Sequence, residues 1–250
     1  MLIDTHCHLH DREFFTEKQA EEMLTRARQK GVKKIICIGT SHEDSLAARD
    51  FALAHKDVYW TYGIHPESAR EVDYDSEKTS LAVSTPIAIG EVGLDYHYEG
   101  YDREAQIRLF EAMLQLANDN DLPVSFHVRE AFDDFFPVIS NFPRIRGVVH
   151  SFSDNKKNLK RILTETDFYV GVNGMATYST LPTPPLERIL LETDAPFLTP
   201  VPFRGIINEC GYVFEVAQWL SKKLAVDFEI IERETTKNAE KVFRFSRAGL

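Results

Sequence analysis

Lys33-Lys34-Ile35-Ile36-Cys37-Ile38-Gly39 decides how the rest of the chain is read. The run is continuously apolar after its two lysines instead of alternating, as expected of a strand buried on both faces in a parallel sheet covered by helices. Helical patterns flank it. Before it, Thr16-x-x-Gln19 has the capping-box form, Ala20, Met23, Leu24 and Ala27 follow at helical spacing, and Gly31 stops the helix. After it, a helical stretch runs from about Glu43 to Ala54. Further out, Leu2–His8 reads as the first strand, Val58–Ile64 as a third and Pro86–Val92 as a fourth. Pro123–Val128, Arg146–His150, Phe168–Val172 and Arg188–Leu191 read as the fifth to eighth. A helix from about Asp102 carries Phe110, Met113, Leu114 and Ala117 on one face. Val213, Val216, Ala217 and Leu220 repeat that spacing near the end, followed by a second amphipathic segment from about Asp227 to Phe243.

Eight short apolar strands, most separated by a helical segment, predict an α/β fold of the (β/α)8 TIM-barrel type, one domain spanning residues 1–250. A doubly wound sheet fits less well, because no Gly-x-Gly-x-x-Gly or Walker pattern follows a strand. One connection is short: Gly174–Glu187 contains Pro182, Pro184 and Pro185 and leaves little room for a helix between strands seven and eight. Either the barrel wall is thinned there or residues are missing from the chain.

The balance of 43% hydrophobic and 27% charged residues is that of an ordinary soluble globular protein. No apolar run approaches a membrane span. The N-terminus enters strand-like sequence with no basic region or cleavage site, so the expected location is cytoplasmic. Cys7, Cys37 and Cys210 cannot all pair and form no zinc knuckle, which agrees with a reducing compartment. A net charge of −10 argues against coating nucleic acid by electrostatics alone. It leaves room for an enzyme whose positive charge resides in bound metal ions.

The chemistry lies at the strand ends. His6 and His8 fall on one face of the first strand, and neutral histidine is the commonest metal ligand. His65 closes the third strand, Glu91 the fourth and His150 the sixth, while His127 is on the fifth and Asp194 follows the eighth. Each has an ordinary alternative: a polar strand end for the His-x-His pair, a hydrogen-bonded core residue for His127, turn or cap roles for Glu91, His150 and Asp194. In a parallel barrel, however, all these ends open on one face. Burying so many polar groups unpaired is costly, and a metal centre built from His6, His8, Glu91, His127, His150 and Asp194 accounts for them together. Four neutral imidazoles and two carboxylates against two divalent ions leave roughly +2, which attracts an anion and lowers the pKa of bound water. Glu91, central in the strand order, is the candidate to bridge the ions.

The chain resembles the TatD family of metal-dependent deoxyribonucleases, among the amidohydrolase-like barrels. The resemblance is carried in order by Asp4-Thr5-His6-Cys7-His8, Gly63-Ile64-His65-Pro66, Gly90-Glu91-Val92-Gly93-Leu94-Asp95-Tyr96, His127-Val128-Arg129, His150-Ser151-Phe152-Ser153, Leu191-Glu192-Thr193-Asp194-Ala195-Pro196 and Pro202-Phe203-Arg204-Gly205. It implies a TIM barrel that hydrolyses DNA phosphodiesters, commonly from the 3′ end of single strands. Carried over by residue, it implies that His6, His8, Glu91 and Asp194 hold one divalent ion and that Glu91, His127 and His150 hold a second, with magnesium, manganese and zinc all open. It further implies that Asp194 and Glu91 are catalytic, Asp194 orienting or deprotonating the attacking water, and that His65 lies near the substrate phosphate; Arg204 is a candidate second phosphate contact, and Arg129 a candidate either for the same contact or for a structural salt bridge. Glu192 receives no role. The chain departs from the family at the short connection and at Ile206-Ile207-Asn208-Glu209-Cys210, where the family continues with basic residues and then Asn-Glu-Pro. Two other readings compete with a 3′–5′ exonuclease on single-stranded DNA. An amidohydrolase acting on a small ester, amide or phosphoester is disfavoured because Pro86–Asp95 has no lysine to carboxylate. A non-catalytic nucleic-acid-binding barrel rests only on the short connection and Ile206-Ile207.

Overall fold

In a computed structural model that describes residues 1–72 and 85–245, eight parallel strands pair in chain order. They are β1 (Leu2–Cys7), β2 (Val32–Cys37), β3 (Val58–Tyr62), β4 (Ala88–Asp95), β5 (Val124–Arg129), β6 (Gly147–Val149), β7 (Tyr169–Val172) and β8 (Ile189–Leu191). The ring closes just beyond β8: Cys7 bridges Ala195, the Asp194 N–H donates to His6 O at 2.8 Å, and the His8 N–H donates to Ala195 O at 2.7 Å. Helices α1 (Glu17–Gln29), α2 (His42–Leu53), α3 (Arg103–Asp119), α4 (Phe132–Ser140) and α5 (Lys156–Glu165) lie in the crossovers. Helices α6 (Val213–Leu224) and α7 (Phe228–Phe243) follow the barrel. The TIM-barrel expectation is met. None of the described helices is long and apolar enough to cross a membrane.

The strands bury both faces, and the two faces go to different places. Val170 and Val172 of β7, and Ile189 and Leu191 of β8, join the large core between sheet and helices. Their neighbours Tyr169 and Leu190 join a smaller cluster with Ile3, Ile36, Val148 and the α7 residues Ala239, Val242 and Phe243. This is the period-two alternation of a strand, with one face turned to the helix layer and the other into the barrel. Two and four residues further along the inward face the apolar side chains give way to polar ones. Leu190 is followed by Glu192 and Asp194, Val148 by His150, and Tyr169 by Gly171 and Asn173. The end of α7 closes the apolar end of the barrel, and the polar end stays open.

Helix α1 begins as its capping box predicts: Gln19 N–H donates to Thr16 Oγ1 at 3.3 Å, and Thr16 N–H donates to Gln19 Oε1 at 2.9 Å. Its buried face is Ala20, Met23, Leu24 and Ala27. Between β7 and β8 there are only short turns at Gly174–Thr177 and Leu186–Arg188, with no α-helix. The wall is therefore thinned, and the C-terminal helices fill the gap. Helix α6 lies against the first turn, and Asn238 of α7 donates through Nδ2 to Leu186 O and Ile189 O, both at 2.9 Å.

Candidate metal centre

Glu91 reaches the middle of the barrel because its strand departs from regular pairing. The β4–β5 register shifts between Ile89 and Val92, and the Glu91 N–H crosses to Gly39 O, just past β2, at 2.7 Å. That path needs Gly63, where an added Cβ would lie 2.2 Å from Gly90 C and 2.3 Å from Glu91 N. Gly63→Ala should therefore displace β4 at the site. We expect a loss of about 1–3 kcal/mol, read as a melting temperature lower by about 2–12 °C, together with reduced metal content.

Around Glu91 the six predicted side chains converge. Glu91 Oε1 lies 2.6 Å from His127 Nδ1 and 2.8 Å from His150 Nε2, while Oε2 lies 3.5 Å from His6 Nε2. Asp194 Oδ1 is 3.5 Å from His6 Nε2 and 3.7 Å from His8 Nε2. The backbone of Asp194 is left-handed, at φ 58°, a conformation that aspartate tolerates better than most residues. Burial disfavours the Glu91 carboxylate, yet the imidazoles of His150, His127 and His6 outweigh it and hold its pKa well below the usual range. Burial opposes ionisation of Asp194 too, and His8, His6 and His150 again prevail, so this carboxyl is held low. His65, by contrast, is pushed down to about 4 by burial, which keeps it neutral.

One atom argues directly for a cation. His6 Nε2 is buried and has no hydrogen-bond partner, although it points between two carboxylates. Within 4.8 Å of one another stand ligand atoms of His6, His8 and Glu91, and likewise of Glu91, His127 and His150. Imidazole nitrogens and carboxylate oxygens are the donor set of zinc or manganese sites. The residues present fit divalent metal. His65, Asp95 and His127 form a further set of the same dimension.

The centre opens into a cavity of about 740 Å³. Among the described residues its lining carboxylates are Asp11, Glu67, Glu91, Asp95 and Asp194, its one arginine is Arg129, and no lysine lines it. At the rim, Phe14 and Phe197 stand edge to face at 5.3 Å, and Tyr98 is 54% exposed beneath the Arg129 guanidinium.

Residues 3–244 match the family described as TatD related DNase. The chain belongs to the TatD family. It is 32% identical over 258 residues to YabD of Bacillus subtilis (strain 168), described as an uncharacterized metal-dependent hydrolase; the match covers 98% of this chain and 100% of that protein. It is 31% identical over 260 residues to the 3'-5' ssDNA/RNA exonuclease TatD of Pantoea ananatis (strain LMG 20103), covering 97% and 99%. The crystal structure of YjjV, a TatD homolog from Escherichia coli K12, superposes with a TM-score of 0.87 at 29% identity over 97% of this chain and 98% of that one. The protein is a metal-dependent hydrolase.

The TatD-family motifs do not all meet at the cavity. His65 lines it, with Nδ1 accepting the Glu67 N–H at 3.4 Å, and so does Arg129, whose Nη1 donates to Tyr98 OH at 3.3 Å. Arg204 is not among the lining residues: its guanidinium stacks 3.8 Å above Tyr178, and Nη1 donates to Thr199 O at 3.5 Å. Two carboxylates gain a place that the sequence reading did not assign. Asp95 Oδ2 is 2.7 Å from His127 Nε2, and Glu192 Oε1 is 3.6 Å from His150 Nδ1. The signal for both was alternation: Asp95 is four residues after Glu91 and Glu192 two before Asp194, on the same inward faces.

Proposed function

We propose that this TatD-family hydrolase uses two divalent ions to cleave phosphodiester bonds of single-stranded nucleic acid from the 3′ end. The observation that carries the two-ion reading is the division of Glu91, one oxygen toward His6 and the other toward His127 and His150. His6, His8, Asp194 and Glu91 would hold one ion, and Glu91, His127 and His150 the other. When bound, such ions lower the pKa of water and offset phosphate charge. The chain's own groups supply the rest. Asp194, kept ionised, accepts the proton of the attacking water. His65 is neutral and its Nδ1 accepts a backbone N–H, so its Nε2 carries the hydrogen and donates to a phosphoryl oxygen. Arg129 adds a guanidinium, while Phe14, Phe197 and Tyr98 offer faces on which bases stack. The 3′ polarity rests on the Pantoea ananatis relative, named as a 3'-5' ssDNA/RNA exonuclease.

The lining makes this reading testable. Five carboxylates against one arginine repel a polyanion, so nucleic acid should bind only when the ions are present. Protein stripped with EDTA should neither bind nor shorten a 5′-labelled single-stranded oligonucleotide, and Mn2+ should restore both. Binding that survives the chelator, with no turnover under any divalent ion, would overturn the proposal in favour of a non-catalytic barrel. Hydrolysis of small esters or amides with none of oligonucleotides would favour the amidohydrolase reading.

A further inference from the structure

The histidines of the two ligand sets are braced from behind by groups of different charge. His127 turns Nδ1 to Glu91 and Nε2 to Asp95 Oδ2, 2.6 and 2.7 Å away. His150 turns Nε2 to Glu91 at 2.8 Å, and its Nδ1, which makes no hydrogen bond, lies 3.6 Å from Glu192 Oε1, an electrostatic contact only. Both bracing carboxylates are buried, Asp95 at 2% and Glu192 at 0% exposure. Glu192 is itself fixed: Oε1 accepts the Ser151 N–H at 2.7 Å and Asn173 Nδ2 at 3.1 Å. Its other oxygen occupies space that β7 leaves by having glycine at 171, where a Cβ would come within 2.3 Å of Oε2. At the far nitrogens of the other pair the hydrogen-bond partners are neutral, although Glu192 also comes within 4.8 Å of a His6 nitrogen. His8 Nδ1 faces the Ile38 carbonyl at 3.1 Å, and His6 Nδ1 faces the Ser125 hydroxyl at 3.5 Å.

An imidazole whose far nitrogen meets a carboxylate is a more basic and better oriented metal ligand than one backed by a neutral group. We infer that the two metal positions are unequal: the one formed by Glu91, His127 and His150 binds tightly and fills first, and the one completed by His6, His8 and Asp194 fills at higher free metal. Asp95 and Glu192 are then positioning residues that set this difference. The inference rests on the two-ion reading above. On it, the hydrolase is switched by free divalent ion, because the chain with one ion lacks the second set's contribution.

Metal-free protein is titrated with Mn2+, and free ion is followed by its electron paramagnetic resonance signal. Two phases are expected, each of one equivalent. Asp95→Asn and Glu192→Gln should each weaken the tight phase by about 10–100-fold and leave the weak phase in place. Asp194→Asn should shift the weak phase to higher Mn2+ and spare the tight one. Both acid-to-amide changes keep the side-chain size, and Asp95 lies at the cavity, so Asp95→Asn with an unchanged circular dichroism spectrum decides the matter if Glu192→Gln fails to fold. Two equivalents binding in one phase, or a tight phase unmoved in Asp95→Asn, would overturn the inference while leaving two ions intact. Saturation at one equivalent would overturn the two-ion reading itself, and the loading order with it.

Discussion

Replacing Glu91 with glutamine is expected to lower kcat/KM on single-stranded DNA by about three orders of magnitude or more, because several kcal/mol of metal-derived stabilisation are lost at once. Glu91 faces both ligand sets at short range: it lies 2.6 Å from His127, 2.8 Å from His150 and 3.5 Å from His6. An amide of the same size keeps the packing and removes the charge that both sets share. Elemental analysis after gel filtration should show less metal per chain than in the parent protein, with an unchanged circular dichroism spectrum. A fully active Glu91→Gln protein would refute the proposed bridging role outright.

Asp194→Asn is the second large effect and differs in kind. In the proposed mechanism Asp194 accepts a proton, and loss of a positioned general base costs about 10²–10⁴-fold in kcat. The Asp194 N–H would still donate to His6 O, so the barrel seam beside it should persist. Single-turnover rates at saturating Mn2+ separate the two roles of the carboxylate. A rate recovered to the parent value at high metal would mean that Asp194 only helps to hold the ion and does not take the proton.

The parts of this site that were legible in the sequence are those fixed by strand alternation and chain order. The buried run around Ile35–Ile38 implied a parallel sheet, and a parallel sheet of eight strands implied one open face. His6, Glu91, His127, His150 and Asp194 then had to meet because they end or follow strands. What escaped was set by short helices and loop geometry. Helix α4 carries Phe132, Phe135, Phe136 and Ile139 at helical spacing, but it is only nine residues long and has Pro137 inside it, a residue that reads as a helix breaker. Helix α5 spans ten residues and buries only Leu159 and Ile162. Arg204 sits in a loop shaped by Asn208, whose Nδ2 donates to Thr193 O at 2.8 Å, and by Thr199, whose hydroxyl donates to Ile206 O at 2.7 Å. Those bonds turn the guanidinium onto Tyr178, a direction that no spacing rule conveys. They also explain Asn208-Glu209 after the divergent Ile206-Ile207: Asn208 pins the loop, and Glu209 accepts from Arg26 Nε of α1 at 2.9 Å.

The placement of α7 bears on how the protein is made. Thr236 donates to the Met1 carbonyl at 2.6 Å, Asn238 holds the backbone at both Leu186 and Ile189, and Val242 and Phe243 pack with Ile3 and Leu190. The His6/His8 pair precedes this helix by more than 200 residues, so the nascent chain exposes half of a metal site long before the other half can be positioned. The barrel has its floor only once α7 has been made, so the complete ligand set is expected to take up metal only after the synthesis of that helix.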